Sequence, residues 1–186
     1  LKMPFYSYMD GIVCGYSVMV SRTGYTGELG FEVYGDNNSI VKIWSELVSA
    51  GAKPAGLAAR DILRMEMKYC LYGNDIDNTT NPIEAGLSWL TDLSKDDFIG
   101  KDAILKVTVN GHSRQLIAFI MEERGIPRQG YEIFINSIKV GVVTSGTQSP
   151  ILKAGIGLAY IDCPFQILGQ KIYIHIRNKF IPARII

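Results

Sequence analysis

Residues 21–34 read SRTGYTGELGFEVY, a glycine-rich stretch that runs into an extended one. Residues 16–22 (YSVMVSR) before it are typical of a β-strand, and residues 31–34 resume an extended pattern. The stretch between them contains three glycines, Gly24, Gly27 and Gly30. Glycine tolerates the positive φ of a tight turn at little cost. The pattern therefore predicts a β-hairpin with a glycine-rich loop at its end.

Two helices are predicted after this hairpin. Apolar residues recur at helical spacing over residues 40–48, and Gly51 offers a stop. Three polar residues before them are candidate N-caps: Asn37, Asn38 and Ser39. A second helix is predicted over residues 56–68, followed by a polar, turn-rich loop over residues 72–82. Trp44 and Trp89 are predicted to lie in the core.

The second half of the chain has a different sequence pattern. From about residue 103 it lacks a long helical period, and short strand-like runs follow at close spacing. These runs cover residues 115–121, 131–135, 138–143, 156–161 and 172–176, while residues 144–150 are predicted to form a loop. Short strands at close spacing indicate a barrel or a sandwich. We therefore predict an α+β chain with a boundary in the linker at residues 94–101, which divides it into residues 1–96 and 97–186.

Composition excludes several classes of function. The 186 residues carry 19 Lys and Arg against 18 Asp and Glu, and this balance argues against a nucleic-acid-binding protein. No apolar run approaches the ~18 residues of a membrane span. Three widely spaced cysteines and two histidines, without a CxxC pair, predict reduced thiols and no metal site. The common phosphate-binding, zinc-protease and serine-hydrolase motifs are absent.

Seven ordered segments carry a specific resemblance. They are SRTGYTGELGFEVY (21–34), KPAGLAARDILRMEM (53–67), LYGNDID (71–77), NPIEAGLSW (81–89), DFIGKDAI (97–104), RGIPRQGYEI (124–133) and GVVTSGTQSP (141–150). In this order and spacing they resemble the T-proteins of the glycine cleavage system, which are tetrahydrofolate-dependent aminomethyltransferases. The family's chains are about twice as long, and the resemblance corresponds to their C-terminal half.

The resemblance implies a fold and an activity. It implies part of a large α+β folate-binding domain followed by a C-terminal β-barrel of jelly-roll type. Family members take an aminomethyl group from the lipoyl arm of H-protein, release ammonia and form 5,10-methylenetetrahydrofolate, in glycine catabolism and one-carbon metabolism. Tetrahydrofolate would be a substrate and lipoylated H-protein a partner, with no role for nucleic acid or membrane. The compartment would be the cytoplasm, or the mitochondrial matrix in a eukaryote.

Glu32 is the most informative single residue. It alternates with Phe31 and Val33, so its side chain is expected on the opposite face of the strand. A carboxylate accepts two hydrogen bonds side by side, which matches the ring N–H and amino group of a pterin. The resemblance places the folate-contacting glutamate at Glu32. The alternatives are an exposed strand glutamate at this position and a contact from Glu28 instead.

Four further residues are candidate folate contacts. The resemblance matches the family's substrate-contacting arginine to Arg60, for which a surface ion pair with Asp61 is the structural alternative. Tyr25 and Tyr72 offer rings that stack on flat ligands, and Asn74 offers an amide that reads polar edges. For each of these three, a loop-packing role is the alternative. No catalytic residue is assigned, because the family's catalytic aspartate is expected outside the chain and Cys70 has no activating neighbour in sequence.

Two other folate-binding groups are alternatives to a T-protein. A non-enzymatic relative that assists iron–sulfur assembly would carry a Lys-Gly-Cys-Tyr-x-Gly-Gln-Glu signature, which this chain lacks. The folate module of an N-methyl amino-acid dehydrogenase shares the fold but follows a flavin domain. Two interpretations remain open for Arg124 and Arg128. They lie either in a solvated loop or near the folate channel or the H-protein surface.

Overall fold

The computed structural model describes residues 3–186, and the chain divides between Met67 and Lys68 into two compact units. The first unit consists of a small sheet and two helices. Its elements are β1 (Tyr8–Val13), β2 (Tyr16–Ser21), β3 (Glu32–Tyr34), α1 (Asn37–Ser49) and α2 (Leu57–Glu66). The three strands form an antiparallel sheet in the order β1-β2-β3.

The predicted hairpin is confirmed, and one strand was not predicted. Strands β2 and β3 pair in antiparallel register, which sets Ser21 opposite Glu32 across the glycine-rich loop. Strand β1 reads YMDGIV and escaped prediction because an aspartate and a glycine interrupt its apolar alternation. It turns into β2 through Cys14 and Gly15, which both adopt positive φ, as the favoured two-residue hairpin turn requires.

Helix α1 was predicted correctly, but its cap and its tryptophan were not. The N-cap is Asp36, whose carboxylate accepts hydrogen bonds from the N–H groups of Asn38 at 2.9 Å and Ser39 at 3.1 Å. It outcompetes the three predicted candidates because it stands one residue before the first helical turn. Ile43 is the helix's buried residue, whereas Trp44 is 57% exposed. The core prediction for Trp44 is therefore wrong, since the small sheet covers only one stripe of the helix.

The second unit is a six-stranded antiparallel barrel with a preceding loop region and a helix. After a 3₁₀ turn at Ser88–Leu90, in which Trp89 is exposed rather than in the core, come α3 (Lys101–Asn110) and the barrel strands. These are β4 (Arg114–Met121), β5 (Glu132–Ile135), β6 (Ile138–Ser149), β7 (Ala154–Asp162), β8 (Lys171–Ile176) and β9 (Lys179–Ile185). The barrel closes in the order β4-β7-β6-β5-β8-β9. The predicted α+β class with a C-terminal barrel is confirmed.

Alternating side chains fill the barrel. In β8 the isoleucines at 172, 174 and 176 are buried, and the residues between them face outward. His175 is one of these outward residues and stacks on the ring of Phe180 at 4.9 Å. The fully buried Phe119 of β4 joins the same core cluster. The barrel thus has its own hydrophobic core.

Two predictions for this half are wrong. Residues 101–110 form helix α3 although they were assigned to a strand-rich region, because β-branched residues such as Val107 and Val109 obscured the helical period. Residues 144–149 continue strand β6 instead of forming a loop. The register of β6 against β7 shifts between Val143 and Ser145, so the bulge leaves Thr144 outside the strand pairing.

Across residues 3–186, helices are too short or too polar to meet the requirements of a membrane span.

Candidate functional site

The Glu32 carboxylate lies at the base of the glycine-rich loop of the first unit. It is half-buried and accepts a hydrogen bond from the Thr23 hydroxyl. That hydroxyl also shares a 2.6 Å hydrogen bond with Ser21, the residue that faces Glu32 across the sheet. Thr23 is the one side-chain partner that the structure gives Glu32 among residues 3–186. A carboxylate has about four lone-pair sites, so Glu32 retains acceptor capacity for a ligand.

The glycine-rich loop brings two predicted site residues together. The guanidinium carbon of Arg60 lies 4.8 Å from the centre of the Tyr25 ring, a cation–π distance. Arg60 is exposed in the first turns of α2 and makes no ion pair with Asp61. Asp61 instead pairs with Arg64 at 2.8 Å. The alternative of an Arg60–Asp61 ion pair is therefore wrong, and the Arg60 guanidinium remains available to a ligand.

The same loop is positioned along helix α2. Gly27 has a φ of +77°, and a Cβ built on it would lie 2.5 Å from the Met67 side chain just beyond α2. Arg60 and Met67 are seven residues apart, about 10 Å along a helix, so the loop contacts α2 near both ends. Arg64 lies between them in the sequence, is only 1% exposed and pairs with Asp61 one turn earlier in the helix. Glu28, the competing carboxylate, is exposed at the loop tip.

In the second unit, a turn over residues 71–77 is tied to the barrel by a buried aspartate. Asp75 is 1% exposed. Its carboxylate accepts hydrogen bonds from the Leu71 N–H at 2.9 Å and from the Thr144 hydroxyl at 2.5 Å. Its main-chain carbonyl accepts a further one from the Tyr160 hydroxyl at 3.0 Å. The bulge that frees Thr144 from strand pairing thus supplies the donor that anchors this turn.

Asn74 and Tyr72 occupy different environments within this turn. The Asn74 amide donates to the Gln129 side chain and to the Thr144 carbonyl, both at 3.4 Å, so it already has protein acceptors. The Tyr72 ring is 72% exposed and lines a shallow cavity of about 190 Å³ with Ile76 and Pro82. The structure therefore presents Tyr72 as an open stacking surface and Asn74 as a residue engaged with the barrel.

A second buried carboxylate joins the next loop to the barrel. Glu84 and Asn81 form a capping box, in which each side chain accepts a 3.0 Å hydrogen bond from the other's N–H. Glu84 also accepts from the Arg114 guanidinium at 3.0 Å, which raises the pKa of Arg114. Arg114 in turn lies over the Tyr160 ring at 4.4 Å, and burial raises the pKa of Tyr160 well above its usual range.

Within the described range 3–186, no group of three His, Cys, Asp or Glu side chains is placed to hold a metal ion. Cys70 is half-buried beside Leu116 and Tyr160. Burial raises the pKa of the Cys163 thiol, which lowers the fraction of reactive thiolate at neutral pH.

Two family models match most of the chain. The GCVT N-terminal domain matches residues 1–95, and the glycine cleavage T-protein C-terminal barrel domain matches residues 114–186. The chain belongs to the glycine cleavage T-protein family. This confirms the resemblance carried by the seven segments.

Curated relatives and a solved structure agree with this family. Aminomethyltransferases from Halothermothrix orenii and Alkaliphilus oremlandii are 47% and 45% identical over the whole of this chain. The crystal structure of glycine cleavage system aminomethyltransferase T from Bartonella henselae is 32% identical, with a TM-score of 0.83, and the match covers 90% of this chain and 48% of that one. The chain spans about half the length of the curated T-protein relatives it matches, 53% and 52% for these two.

Sequence reasoning missed the residues that hold the loops in this T-protein family member. Asp75 was visible within the LYGNDID segment, but its burial was not. Glu84 stands three residues after Asn81, which is the spacing of a capping box and was readable as such. The partners Thr144 and Arg114 lie 69 and 30 residues away in sequence, so no local pattern pointed to them.

Proposed function

We propose that this chain supplies the tetrahydrofolate-binding part of an aminomethyltransferase of the glycine cleavage system. In the reaction, the carbon–sulfur and carbon–nitrogen bonds of the aminomethyl group on lipoylated H-protein both break. Two carbon–nitrogen bonds to tetrahydrofolate form in their place. The two folate N–H hydrogens leave on the lipoyl thiol and on ammonia, so the products are 5,10-methylenetetrahydrofolate, reduced lipoyl H-protein and ammonia.

The observation that carries the proposal is the environment of Glu32. Its carboxylate is half-buried, oriented by the Thr23 hydroxyl, and retains acceptor capacity. The pteridine ring of tetrahydrofolate presents a ring N–H next to an amino group, and two such donors match one carboxylate in a planar pair. Hydrogen bonds to a charged acceptor contribute about 1.5–3 kcal/mol each. We therefore assign Glu32 as the pterin-binding residue.

Arg60 and Tyr25 are proposed as a second contact in the same loop region. The Tyr25 ring holds the Arg60 guanidinium by a cation–π contact, which limits the side-chain freedom that binding would otherwise remove. The planar fork then suits a carboxylate or the polar edge of folate. We propose Tyr72 and Asn74 as weaker contacts, Tyr72 through stacking and Asn74 through its amide. The catalytic aspartate is proposed to lie outside these residues.

The names of the relatives favour this function over the two folate-binding alternatives. They are aminomethyltransferases, and the matched solved structure is a glycine cleavage T-protein. We also propose a domain boundary between residues 96 and 97. It falls between the two family matches, the first of which ends at residue 95 while the second begins at residue 114. A cytoplasmic location, or the mitochondrial matrix in a eukaryote, is proposed with the function.

Calorimetric titration of tetrahydrofolate tests the assignment of Glu32. The Glu32→Gln variant keeps the shape and the Thr23 contact but lacks the charge, and we expect its affinity to fall at least tenfold, which corresponds to ~1.4 kcal/mol. Glu46→Gln, on the exposed face of α1, is the matched control and should bind like the unmodified protein. Circular dichroism melting verifies that both variants fold. Unchanged affinity in Glu32→Gln would contradict the assignment.

The activity itself is tested with the protein expressed together with any sequence that precedes residue 1. The assay follows ammonia release from aminomethylated H-protein with and without tetrahydrofolate. Folate-dependent release is expected. If folate binds with the predicted dependence on Glu32 but no aminomethyl group is consumed, a non-enzymatic folate-binding role replaces the proposed one.

A further inference from the structure

One mouth of the barrel carries a concentrated positive charge. In the antiparallel order β4-β7-β6-β5-β8-β9, the connections β4–β5, β6–β7 and β8–β9 all lie at the same end. A cavity of about 890 Å³ opens there. Cationic side chains from all three connections and from the first residue of β9 line it: Arg124, Arg128, Lys153, Arg177 and Lys179. The chain as a whole has a net charge of only +1, so this is a local concentration of charge.

The cavity has no acidic side chain in its lining. Ion pairs with carboxylates are not formed by any of the five cations within residues 3–186. The nearby Glu122 pairs instead with Arg184 and lies 4.0 Å from the Lys171 ammonium group. Like charges gathered without counter-charges repel one another, and a bound anion relieves this repulsion. The positive charge at this end of the barrel is thus not neutralised by carboxylates of the described residues.

The backbone that carries two of the cations is firmly held. A Cβ built on Gly155 would lie 2.3 Å from the Gly125 carbonyl oxygen, and one on Gly146 would lie 2.5 Å from the Pro127 carbonyl oxygen. The segment between Arg124 and Arg128 therefore packs directly against glycines of the neighbouring strands. Such close packing fixes the backbone positions of Arg124 and Arg128, although their side chains reach into solvent.

The opposite connection is a tight turn that also sets its cations in place. Arg177 and Asn178 adopt φ values of 46° and 63°, as a two-residue hairpin turn with the twist of the flanking strands requires. The turn places Arg177 and Lys179 beside the buried Ile176, which lines the cavity together with Ile181. Polar groups around an apolar floor are typical of a small-ligand site.

We propose that this barrel mouth binds a compact polyanion with two or more phosphate or carboxylate groups. The residues that line this cavity are different from the folate contacts proposed above, and the proposal does not depend on those contacts. A concave site suits a compact ligand better than a flat acidic protein surface, because cations on three connections can surround the former while the latter meets only the rim. Three of the five cations are arginines, whose planar guanidinium groups suit the bidentate recognition of phosphate and carboxylate groups.

Calorimetry with inorganic tripolyphosphate and with citrate tests the proposal, at 50 mM and 200 mM NaCl. The two probes separate a phosphate site from a carboxylate site. We expect at least one to bind at low salt and to bind more weakly at high salt. The Lys153→Glu/Lys179→Glu variant should weaken binding at least tenfold. The control Lys42→Glu/Lys106→Glu changes the net charge equally, on exposed helix positions that do not line the cavity, and should change the affinity less than twofold.

Several outcomes would overturn the proposal. These are the absence of binding by both probes to the folded protein, equal weakening in the two double variants, or tighter binding of a single-stranded oligonucleotide, which would indicate a nucleic-acid surface. If Lys153→Glu/Lys179→Glu does not fold, Arg124→Gln/Arg128→Gln replaces it with the same expectation. Tripolyphosphate binding should be unchanged in Glu32→Gln, so failure of the folate proposal and failure of this one are distinguishable.

Discussion

The turn over residues 71–77 is expected to depend on Asp75 for its attachment to the barrel. In Asp75→Ala, the Leu71 N–H and the Thr144 hydroxyl both lose their acceptor in a buried place. Each buried group left unpaired costs about 1–3 kcal/mol. Water that enters the vacated space offsets part of this, so we expect the free energy of unfolding to fall by about 2–4 kcal/mol in total.

Two further variants separate the hydrogen bonds from the charge. Asp75→Asn keeps the shape, and its amide can accept from the Leu71 N–H while donating to the Thr144 oxygen, so we expect a smaller loss of about 1–2 kcal/mol. Thr144→Val removes one donor to a charged acceptor and should cost about 1.5–3 kcal/mol. The double variant Asp75→Ala/Thr144→Val should lose about 1–2 kcal/mol less than the sum of the two single-variant losses. The reason is that the two side chains share one hydrogen bond, which can be lost only once.

Urea denaturation followed by circular dichroism measures these free energies. Limited proteolysis reports on the turn itself, because a detached loop is cut faster. Additive losses in the double variant would refute the reasoning, since they would mean that Asp75 and Thr144 stabilise the fold independently. So would a loss below ~1 kcal/mol in Asp75→Ala, which would mean that water satisfies both donors without cost.

Two other predictions concern the barrel. Because burial raises the pKa of Tyr160, the folded phenol keeps its proton where the unfolded one loses it. The stability that this contributes is therefore complete below pH ~10 and is lost as the pH rises above it. Urea denaturation from pH 9 to 11 should show a smaller loss of unfolding free energy in Tyr160→Phe than in the unmodified protein. Equal losses in the two proteins would contradict this. Gly155→Ala places a Cβ against the Gly125 carbonyl and should lower the free energy of unfolding by about 1–3 kcal/mol, whereas Gly11→Ala, which meets nothing within 4 Å, should change it by less than about 1 kcal/mol; equal effects in thermal melts would refute the close-packing argument.

Local patterns were sufficient for most of the regular elements. The hairpin of β2 and β3 and helices α1 and α2 follow from periodicity and glycine placement, and so do most barrel strands. The failures have local causes as well. A glycine and an aspartate concealed β1, and β-branched residues concealed α3. Small polar residues made the end of β6 resemble a loop, although Gly146 is needed there for close packing against Pro127.

Tryptophan burial was predicted wrongly for a different reason. Periodicity states which face of a helix is apolar, but not how much of that face other elements cover. In the first unit, a three-stranded sheet buries Ile43 of α1 and leaves Trp44 exposed. In the barrel, by contrast, every strand has two neighbours, and the alternating isoleucines of β8 are all buried. The same rule thus succeeds where the sheet closes on itself and fails where a layer is narrow.

The candidate site shows a similar contrast, between residues that are close in sequence and pairs that are far apart. The resemblance to the T-protein family matched Glu32 and Arg60 to folate-contacting residues, and the residue type made Tyr25 a further candidate. The structure brings two of these three, Arg60 and Tyr25, into contact. The second region depends on pairs that sequence distance conceals, such as Thr144 with Asp75 and Tyr160 with the same turn, 69 and 85 residues apart. A single β-bulge decides the first of these pairs, and a bulge has no signature in an uninterrupted polar run. Candidate binding residues can therefore be proposed from short sequence segments, whereas the residues that position them become visible only in the fold.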